Sequence, residues 1–354
     1  MLTSIRLQNF KGHLDTTVRL GRLTVLVGPN GAGKTSVLQA LRTVTELVDT
    51  APQRVLDDPP PADLLHRGSS GPILLGLDGS DADVLWRISV EIPVSTMQNA
   101  DNRPTLAWAY SDTSGQQPQA DLPFRKCWGS LPLGGSLGAA VIYRFDARVI
   151  AAVAESDEIT PQVASDGQDT AAVLAFLKLE HEEVFDRIEA ELCRVVPNVE
   201  RVRVRRVPIH KRVGHKVFLD LRGAPGIPAN VASEGTLVTL ALLTALLSNT
   251  GPRLVLLDDL DHALHPEAQI ELVRQLRRLL DEMPDLQIVA STHSPYILDE
   301  LDPSDIQVFA LRKDGDVATK RLSEHPQASQ TAGALTAGQL WSLDPERRWV
   351  AEEG

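Results

Sequence analysis

The stretch that decides the fold is GPNGAGKT, residues 28–35. It fits the phosphate-loop pattern G-x-x-x-x-G-K-[ST], and it lies between the apolar run 23–27 and a segment whose apolar residues recur every three or four positions. Glycines let backbone amides face phosphates at a helix N-terminus, Lys34 offers its charge to the β and γ phosphates, and the Thr35 hydroxyl can ligate Mg²⁺. The flanking strand and helix disfavour the alternative of a turn that binds no ligand.

Two acids follow another apolar strand at Leu254 to Leu257. Ligands of open α/β sheets bind at the carboxyl ends of the strands, so we predict that Asp258 holds Mg²⁺ and that Asp259 faces the attacking water. In isolation, such a run is often a strand that leaves the core. The phosphate loop is what favours the catalytic interpretation.

Two further segments indicate phosphate contacts less strongly. Ser233-Glu-Gly235 opens a helix and offers a hydroxyl, exposed amides and a positive helix end to an anion, although a serine there is more often a simple cap. His293 follows a further apolar strand, from which it can reach a γ phosphate, although a lone histidine after a strand is usually structural.

In chain order, the four elements are the phosphate loop, Ser233-Glu-Gly235, Asp258-Asp259 and His293. This order resembles the ABC ATPase heads of the structural-maintenance-of-chromosomes (SMC), RecF and OLD proteins, over nearly the whole chain. The stretches NFKG (9–12), ALHP (263–266) and THSP (292–295) look most like the small OLD-like branch. The resemblance implies an α/β fold, a P-loop NTPase of the ABC ATPase type, with a mixed sheet core and a smaller lobe of helices and a hairpin.

The resemblance also implies the cofactors ATP and Mg²⁺, an ATPase activity, and a homodimer formed through ATP. Lys34, Asp259 and His293 are then the catalytic residues, and Thr35 and Asp258 hold the metal. Ser233 and Gly235 meet the ATP of the opposite subunit. The residues expected to bind nucleotide are Asn30, Gly31, Gly33, Lys34, Thr35, Ser36, Ser233 and Gly235.

The sequence departs from the family pattern at two points. Asp259 stands where a glutamate is usual, and its carboxylate reaches ~1.5 Å less far, so we expect slow hydrolysis or hydrolysis only in a particular complex. Such heads commonly have a glutamine at the strand end near Phe145, but Gln162 and Gln168 are poor candidates. The link from the γ phosphate to the second lobe is therefore unassigned.

The element pattern predicts a nucleotide-binding lobe of residues 1–150 and 250–322, a second lobe of 151–249, and a tail of 323–354. Residues 97–139 are rich in polar, glycine and proline residues and predict a long excursion. About sixty residues follow His293, so we expect no TOPRIM nuclease domain of the OLD kind in this chain.

The tail has two features that allow two interpretations each. Asp314-Gly-Asp316 favours a hairpin turn over a metal pair, because it lies between the apolar runs 308–311 and 317–322. Trp341 and Trp349 favour a tail that folds back on the core over one that presents aromatic anchors to a partner.

Composition places the chain among globular proteins, with 43% hydrophobic and 23% charged residues in 354. Its two cysteines lack the spacing of a disulfide framework or zinc site, and its N-terminus alternates as a strand does, so we expect a cytoplasmic protein. The longest apolar stretch, 237–247, falls short of the ~20 residues needed to cross a bilayer, so we expect no membrane partner.

A basic segment stands out from the formal net charge of −12. Residues 201–216 contain seven basic residues and no acid, and they predict a hairpin that turns at 213–215. One strand face is predicted to be solvated or, with equal weight, to contact a nucleic-acid backbone. The candidate contacts are Arg201, Arg203, Arg205, Lys211 and Arg212.

These observations favour an ATP-driven switch that grips DNA or controls a separately encoded, nuclease-like effector in genome maintenance or phage defence. The effector is an expectation from the resemblance alone. Two alternatives stay open. One is the ATPase subunit of an ABC transporter, which the Ser-Glu-Gly signature and the unassigned glutamine disfavour. The other is a nucleotide-binding scaffold with little turnover, which Asp259 motivates.

Overall fold

The structure of the protein is a computed structural model. It describes residues 1–49, 60–81, 84–93, 105–111, 119–122, 140–155, 158–209, 212–248, 253–331, 333–344 and 346–351. The chain divides into two compact units. The first comprises 1–142, 252–260 and 283–354, and the second comprises 143–251 and 261–282.

The helices and strands have the following bounds. The strands are β1 Leu2–Phe10, β2 His13–Arg19, β3 Leu23–Val27, β4 Ile73–Asp81, β5 Val84–Ile92, β6 Thr105–Ser111, β7 Gln119–Leu122, β8 Val141–Tyr143, β9 Val199–Ile209, β10 Arg212–Leu221, β11 Ala224–Pro228, β12 Arg253–Leu257, β13 Leu286–Ser291, β14 Ile306–Leu311 and β15 Val317–Arg321. The helices are α1 Lys34–Asp49, α2 Pro61–Leu64, α3 Ala147–Ile150, α4 Thr170–Glu180, α5 Glu182–Val195, α6 Glu234–Leu247, α7 Pro266–Glu282, α8 Pro295–Asp299, α9 Ala337–Leu343 and α10 Glu346–Trp349.

The first unit contains a mixed sheet with the strand order β15-β14-β3-β13-β12-β8. The strands β12, β13, β3 and β14 run parallel, and β15 is antiparallel to β14. Every residue of β3 is buried, as expected for a parallel strand covered on both faces. Because parallel strands end at one edge, the residues that follow β3, β12 and β13 share that edge of the sheet.

A second, antiparallel sheet has the order β2-β1-β4-β5-β6-β7. Its strands β1 and β4 contact helix α1, whose residues Val37, Leu38 and Leu41 are fully buried in the core of this unit. The helix begins at Lys34, the residue that follows the last glycine of the phosphate loop. Burial of this apolar face therefore fixes the direction in which the N-terminus of α1 points.

The second unit contains the basic hairpin and a group of helices. Strands β9 and β10 pair antiparallel, with Arg205 opposite Lys216 and Ile209 opposite Arg212. The predicted turn at 213–215 is wrong, because these residues pair with β9 and extend the hairpin. The predicted helix pair is α4 and α5, and α6 is buried from Gly235 to Leu246.

The units differ from the predicted lobes of 1–150 with 250–322, 151–249 and 323–354. Residues 261–282 belong to the second unit because α7 packs against α5, where Arg187 pairs with Glu282. The second unit also begins earlier than predicted, at Tyr143. The tail belongs to the first unit.

The predicted excursion at 97–139 contains two strands. β6 and β7 extend the antiparallel sheet beyond β5, and the other residues of this stretch lie outside the described part of the chain. The sequence obscured them because they are short and separated by polar segments.

The tail folds back on the first unit, as predicted. Trp349 is 5% exposed, stacks edge-on against His325, and its carbonyl accepts a hydrogen bond from Lys320 Nζ. Asp314-Gly-Asp316 forms the predicted turn, in which Gly315 has a φ of +93° and Asp316 N–H donates to Asp314.

Among the helices of the described residues, none combines the length and apolar character that a bilayer span requires.

Candidate functional site

The phosphate loop joins β3 to α1 and depends on its glycines. Gly28, Gly31 and Gly33 have φ values of +145°, +78° and +91°, which side-chain-bearing residues rarely adopt. A Cβ at Gly28 would lie 2.4 Å from the carbonyl oxygen of Phe309, so this position also lacks room for a side chain. The two exposed residues at the tip are Asn30 and Gly31, and Ser36 is half-buried in the first turn of α1.

Lys34 crosses the loop from the start of α1. Its side chain is 6% exposed, and its Nζ donates hydrogen bonds to Gly28 O at 2.8 Å and Pro29 O at 3.1 Å. An ammonium group so placed is desolvated, which strengthens its attraction for an anion. The loop thus holds the charge of Lys34 where the motif predicts phosphates.

The Thr35 hydroxyl and the Asp258 carboxylate meet at the edge of the mixed sheet. Thr35 Oγ1 donates to Asp258 Oδ1 at 3.2 Å and to Oδ2 at 3.4 Å. The Ser291 hydroxyl at the end of β13 donates to Asp258 Oδ1 at 2.7 Å. The structure therefore brings together the two predicted metal ligands, and it adds Ser291 as a group that orients one of them.

Asp259 occupies a turn that suits aspartate. Its φ is +57°, in the left-handed region that aspartate and asparagine tolerate better than longer side chains do. Its N–H donates to Ser291 Oγ at 2.9 Å, and the residue is half-buried. The same serine thus holds the backbone of one acid and the carboxylate of the other.

His293 is exposed two residues beyond β13. The neighbouring segment is fixed, because Ser294 N–H donates to Thr292 Oγ1 at 3.1 Å and Ser294 caps α8. Its predicted contact with a γ phosphate stays a prediction.

The signature segment lies in the second unit. Ser233 is exposed and caps α6 by accepting a hydrogen bond from Thr236 N–H at 3.3 Å. A Cβ on Gly235 would lie 2.7 Å from Ala263 O, so the glycine is required by close packing of the helix start. The predicted contact of Ser233 and Gly235 with the opposite subunit's ATP stays a prediction. The glutamine expected to link the γ phosphate to the second lobe stays unassigned, and its two poor candidates, Gln162 and Gln168, are both exposed.

The residues present fit ATP and Mg²⁺. The three glycines give the loop the positive φ values that let backbone amides turn toward an anion, and a desolvated ammonium faces the loop carbonyls. Mg²⁺ prefers oxygen ligands and keeps several waters, so a hydroxyl and one carboxylate suffice on the protein side.

His13 is a residue at the loop to which the sequence prediction gave no role. It begins β2, is fully buried, and its Nε2 lies 3.1 Å from Gly33 O. Burial lowers the pKa of His13 from 6.5 to about 4. The sequence did offer one sign of His13: it directly follows the stretch NFKG in the first hairpin.

The arginines of the basic hairpin lie on one face, as predicted, but several of them also contact other side chains. Arg203 pairs with Asp220 at 2.6 Å, and the Arg205 guanidinium lies 4.6 Å from the centre of the Phe218 ring. Arg201 is exposed, and Arg212 lies 3.9 Å from Glu155. Lys211 lies outside the described residues. The charge available to a nucleic acid is therefore smaller than the sequence indicates.

Two family models match the chain. One, described as an AAA ATPase domain, matches residues 1–66 and includes the phosphate loop. The other, described as an AAA domain, putative AbiEii toxin, Type IV TA system, matches residues 128–299 and includes Ser233, Asp258 and His293. These matches confirm the resemblance to AAA-family ATPase domains.

Two relatives match short regions. The Septu protein PtuA of Bacillus thuringiensis is 32% identical over 69 residues, which are 20% of this chain and 17% of that protein. The OLD nuclease of Thermus scotoductus is 48% identical over 44 residues, which are 12% of this chain and 8% of that protein. The chain thus matches only a small share of either relative's length.

Solved structures show the fold. An SMC head bound to the C-winged helix domain of ScpA superimposes with a TM-score of 0.57 and 13% identity, over 93% of this chain and 99% of that one. An SMC head with an extended coiled coil, bound to the C-terminal domain of ScpA and derived from Pyrococcus furiosus, gives 0.51 and 12%, over 93% and 98%. The predicted ABC ATPase-type fold is confirmed.

Proposed function

We propose that this chain, an ATPase head of the SMC- and OLD-like type, is a switch driven by ATP. Two copies close head to tail around ATP and Mg²⁺, the closed dimer acts on a separately encoded effector or on DNA, and hydrolysis opens it again. The relatives' names, a Septu protein and an OLD nuclease, support a role in defence or genome maintenance.

The observation that carries this proposal is the contact between Thr35 and Asp258, with Ser291 behind it. These groups come from three separate segments and converge at the carboxyl edge of parallel strands, where α/β proteins bind ligands. A bound Mg²⁺ would neutralise charge on the β and γ phosphates. Thr35 and Asp258 would hold it, and Ser291 would keep the carboxylate in position.

The hydrolytic step is assigned to Asp259 and His293. Asp259 would orient a water for attack on the γ phosphate, and His293 would donate a hydrogen bond to the phosphate oxygens. The left-handed backbone at Asp259 supports aspartate there and leaves the carboxylate short, so slow turnover follows from the same turn.

Dimer closure is assigned to the start of α6. Ser233 is exposed at the N-terminus of this 14-residue helix, where the helix dipole and the first-turn amides favour an anion. In the closed dimer, this end would meet the γ phosphate bound to the other copy. Each ATP would then bridge two chains.

A direct test measures ATP binding and phosphate release by the wild-type chain and by Lys34→Ala, with and without duplex DNA or RNA. The proposal expects Mg²⁺-dependent ATP binding that Lys34→Ala abolishes, and slow release of phosphate. Binding without any release, under all conditions, would favour the nucleotide-binding scaffold. Failure of the wild-type chain to bind ATP would contradict the proposal.

A further inference from the structure

We propose that His13 is a positioning residue for the phosphate loop, because its Nε2 proton holds the Gly33 carbonyl and so aims the Lys34 amide at the phosphates. The inference rests on the proposed ATP binding. His13 would not touch the nucleotide, and it would act through one peptide group of the loop.

The proton of His13 can be placed from its surroundings. Gly33 O is an acceptor only, and it lies 3.1 Å from Nε2. The low pKa of His13, about 4, leaves the ring neutral near pH 7, with a single proton. That proton therefore lies on Nε2. The other nitrogen, Nδ1, is buried and has no hydrogen-bond partner within the described part of the chain, which costs least when it carries no proton to satisfy.

Peptide geometry carries the effect to the nucleotide side. The peptide between Gly33 and Lys34 is planar and trans, so its C=O and N–H point in opposite directions. Holding the Gly33 carbonyl toward His13 turns the Lys34 N–H away from it, toward the open side of the loop. The same carbonyl also accepts Val37 N–H at 3.2 Å, the first hydrogen bond of α1. Both of its lone pairs are thus used.

The ring of His13 cannot easily retreat from this contact. It meets the Phe309 ring edge-on, with centroids 6.5 Å apart, and its backbone is held opposite Phe10 in the β1–β2 hairpin. A Cβ at Gly33 would lie 2.6 Å from Nε2 and 2.9 Å from a Val317 methyl group. Gly33 therefore lacks a side chain for two reasons, its φ of +91° and the closeness of His13.

Two substitutions of similar length separate the donor from the space it fills. His13→Gln keeps an N–H donor near the position of Nε2, and His13→Met fills the space without one. The measurement is the Kd for ATP by titration, at a temperature well below the Tm of each variant, with Lys34→Ala as the reference for a disabled loop. We expect His13→Met to weaken ATP binding about tenfold, and His13→Gln to stay within about threefold of the wild type.

Equal affinity of His13→Met and the wild type, with Lys34→Ala disabled, would overturn the inference while leaving the proposed function intact. Absence of ATP binding in the wild type would instead sink the proposed function. If His13→Met fails to fold, the tautomer of the wild-type ring decides: NMR of the labelled histidine at pH 7 should show the proton on Nε2. A proton on Nδ1 would refute the positioning role.

Discussion

The hydroxyl of Thr35 lies 3.2 Å from the carboxylate of Asp258, although 223 positions separate them in sequence. One follows the phosphate loop, the other follows β12, and the parallel order of the mixed sheet brings their strand ends to one edge. Ser291 donates to the same carboxylate from a third segment. This convergence is the structural reason to place a metal-bound nucleotide at this edge.

Ser291→Ala should weaken the binding of Mg²⁺ by the ATPase and lower its rate. The variant removes the 2.7 Å hydrogen bond to Asp258 and the partner of the Asp259 N–H. Loss of such an orienting group typically costs 10- to 100-fold in metal affinity or activity, so we expect phosphate release to fall by about tenfold. A Mg²⁺ titration of the ATPase rate checks this. An unchanged titration curve would show that Ser291 does not orient the metal ligand.

Asp259→Glu should be less stable than Asp259→Asn. The φ of +57° is tolerated by aspartate and asparagine, whose short side chains bond locally, and it costs a longer residue about 1 kcal/mol. Urea unfolding of the two variants measures the difference directly. Equal free energies of unfolding would indicate that the turn relaxes. The left-handed backbone would then not explain why aspartate stands where a glutamate is usual.

The free energy of unfolding should depend on His13 below pH 6.5. The pKa of His13 falls from 6.5 to about 4 on folding because of burial, so the unfolded chain binds more protons within this window. The contribution of His13 to the free energy of unfolding is therefore fully present above pH 6.5. It falls by about 3 kcal/mol as the pH falls toward 4. His13→Gln should lose about that much less over the same range in urea titrations. A parallel decline in both proteins would contradict the buried neutral histidine.

The two arginines Arg201 and Arg203 should affect DNA binding differently. Arg201 is exposed, whereas Arg203 is held by Asp220, which is itself largely buried. We expect Arg201→Ala to lower duplex DNA affinity and to reduce the salt slope by about one, and Arg203→Ala to change both less. Fluorescence anisotropy at several salt concentrations measures this. Equal losses in the two variants would show that the Asp220 pair opens on DNA.

Sequence reasoning predicted the phosphate loop, the acids after β12 and the helix α6 because each has a local signal. Alternating or continuous apolar runs give the strands, and the Ser233 cap gives the start of α6 at Glu234. The carboxyl ends of parallel strands then place Lys34 and Asp258 together without any long-range information. This part of the site depends on rules that act within about ten residues.

The remaining features depend on contacts between distant segments. Ser291 and His13 reach the site through hydrogen bonds that span 33 and 20 positions, and no local pattern predicts either bond. Pairing of 213–215 with β9 extended the hairpin beyond its predicted turn. Asp220 neutralises Arg203 from the opposite strand, a pairing visible only once the register is known. Packing of α7 on α5 moved 261–282 into the second unit.

The most direct test of the central claim measures the mass of Asp259→Asn with ATP and Mg²⁺ by sedimentation, because this variant should bind ATP without hydrolysing it. The account predicts a particle of twice the 38.5 kDa chain mass. It also predicts that adding Ser233→Asp, which keeps the helix cap but sets a negative charge against the γ phosphate, restores the monomer while ATP still binds. A chain that binds ATP yet stays monomeric in both proteins would contradict the account.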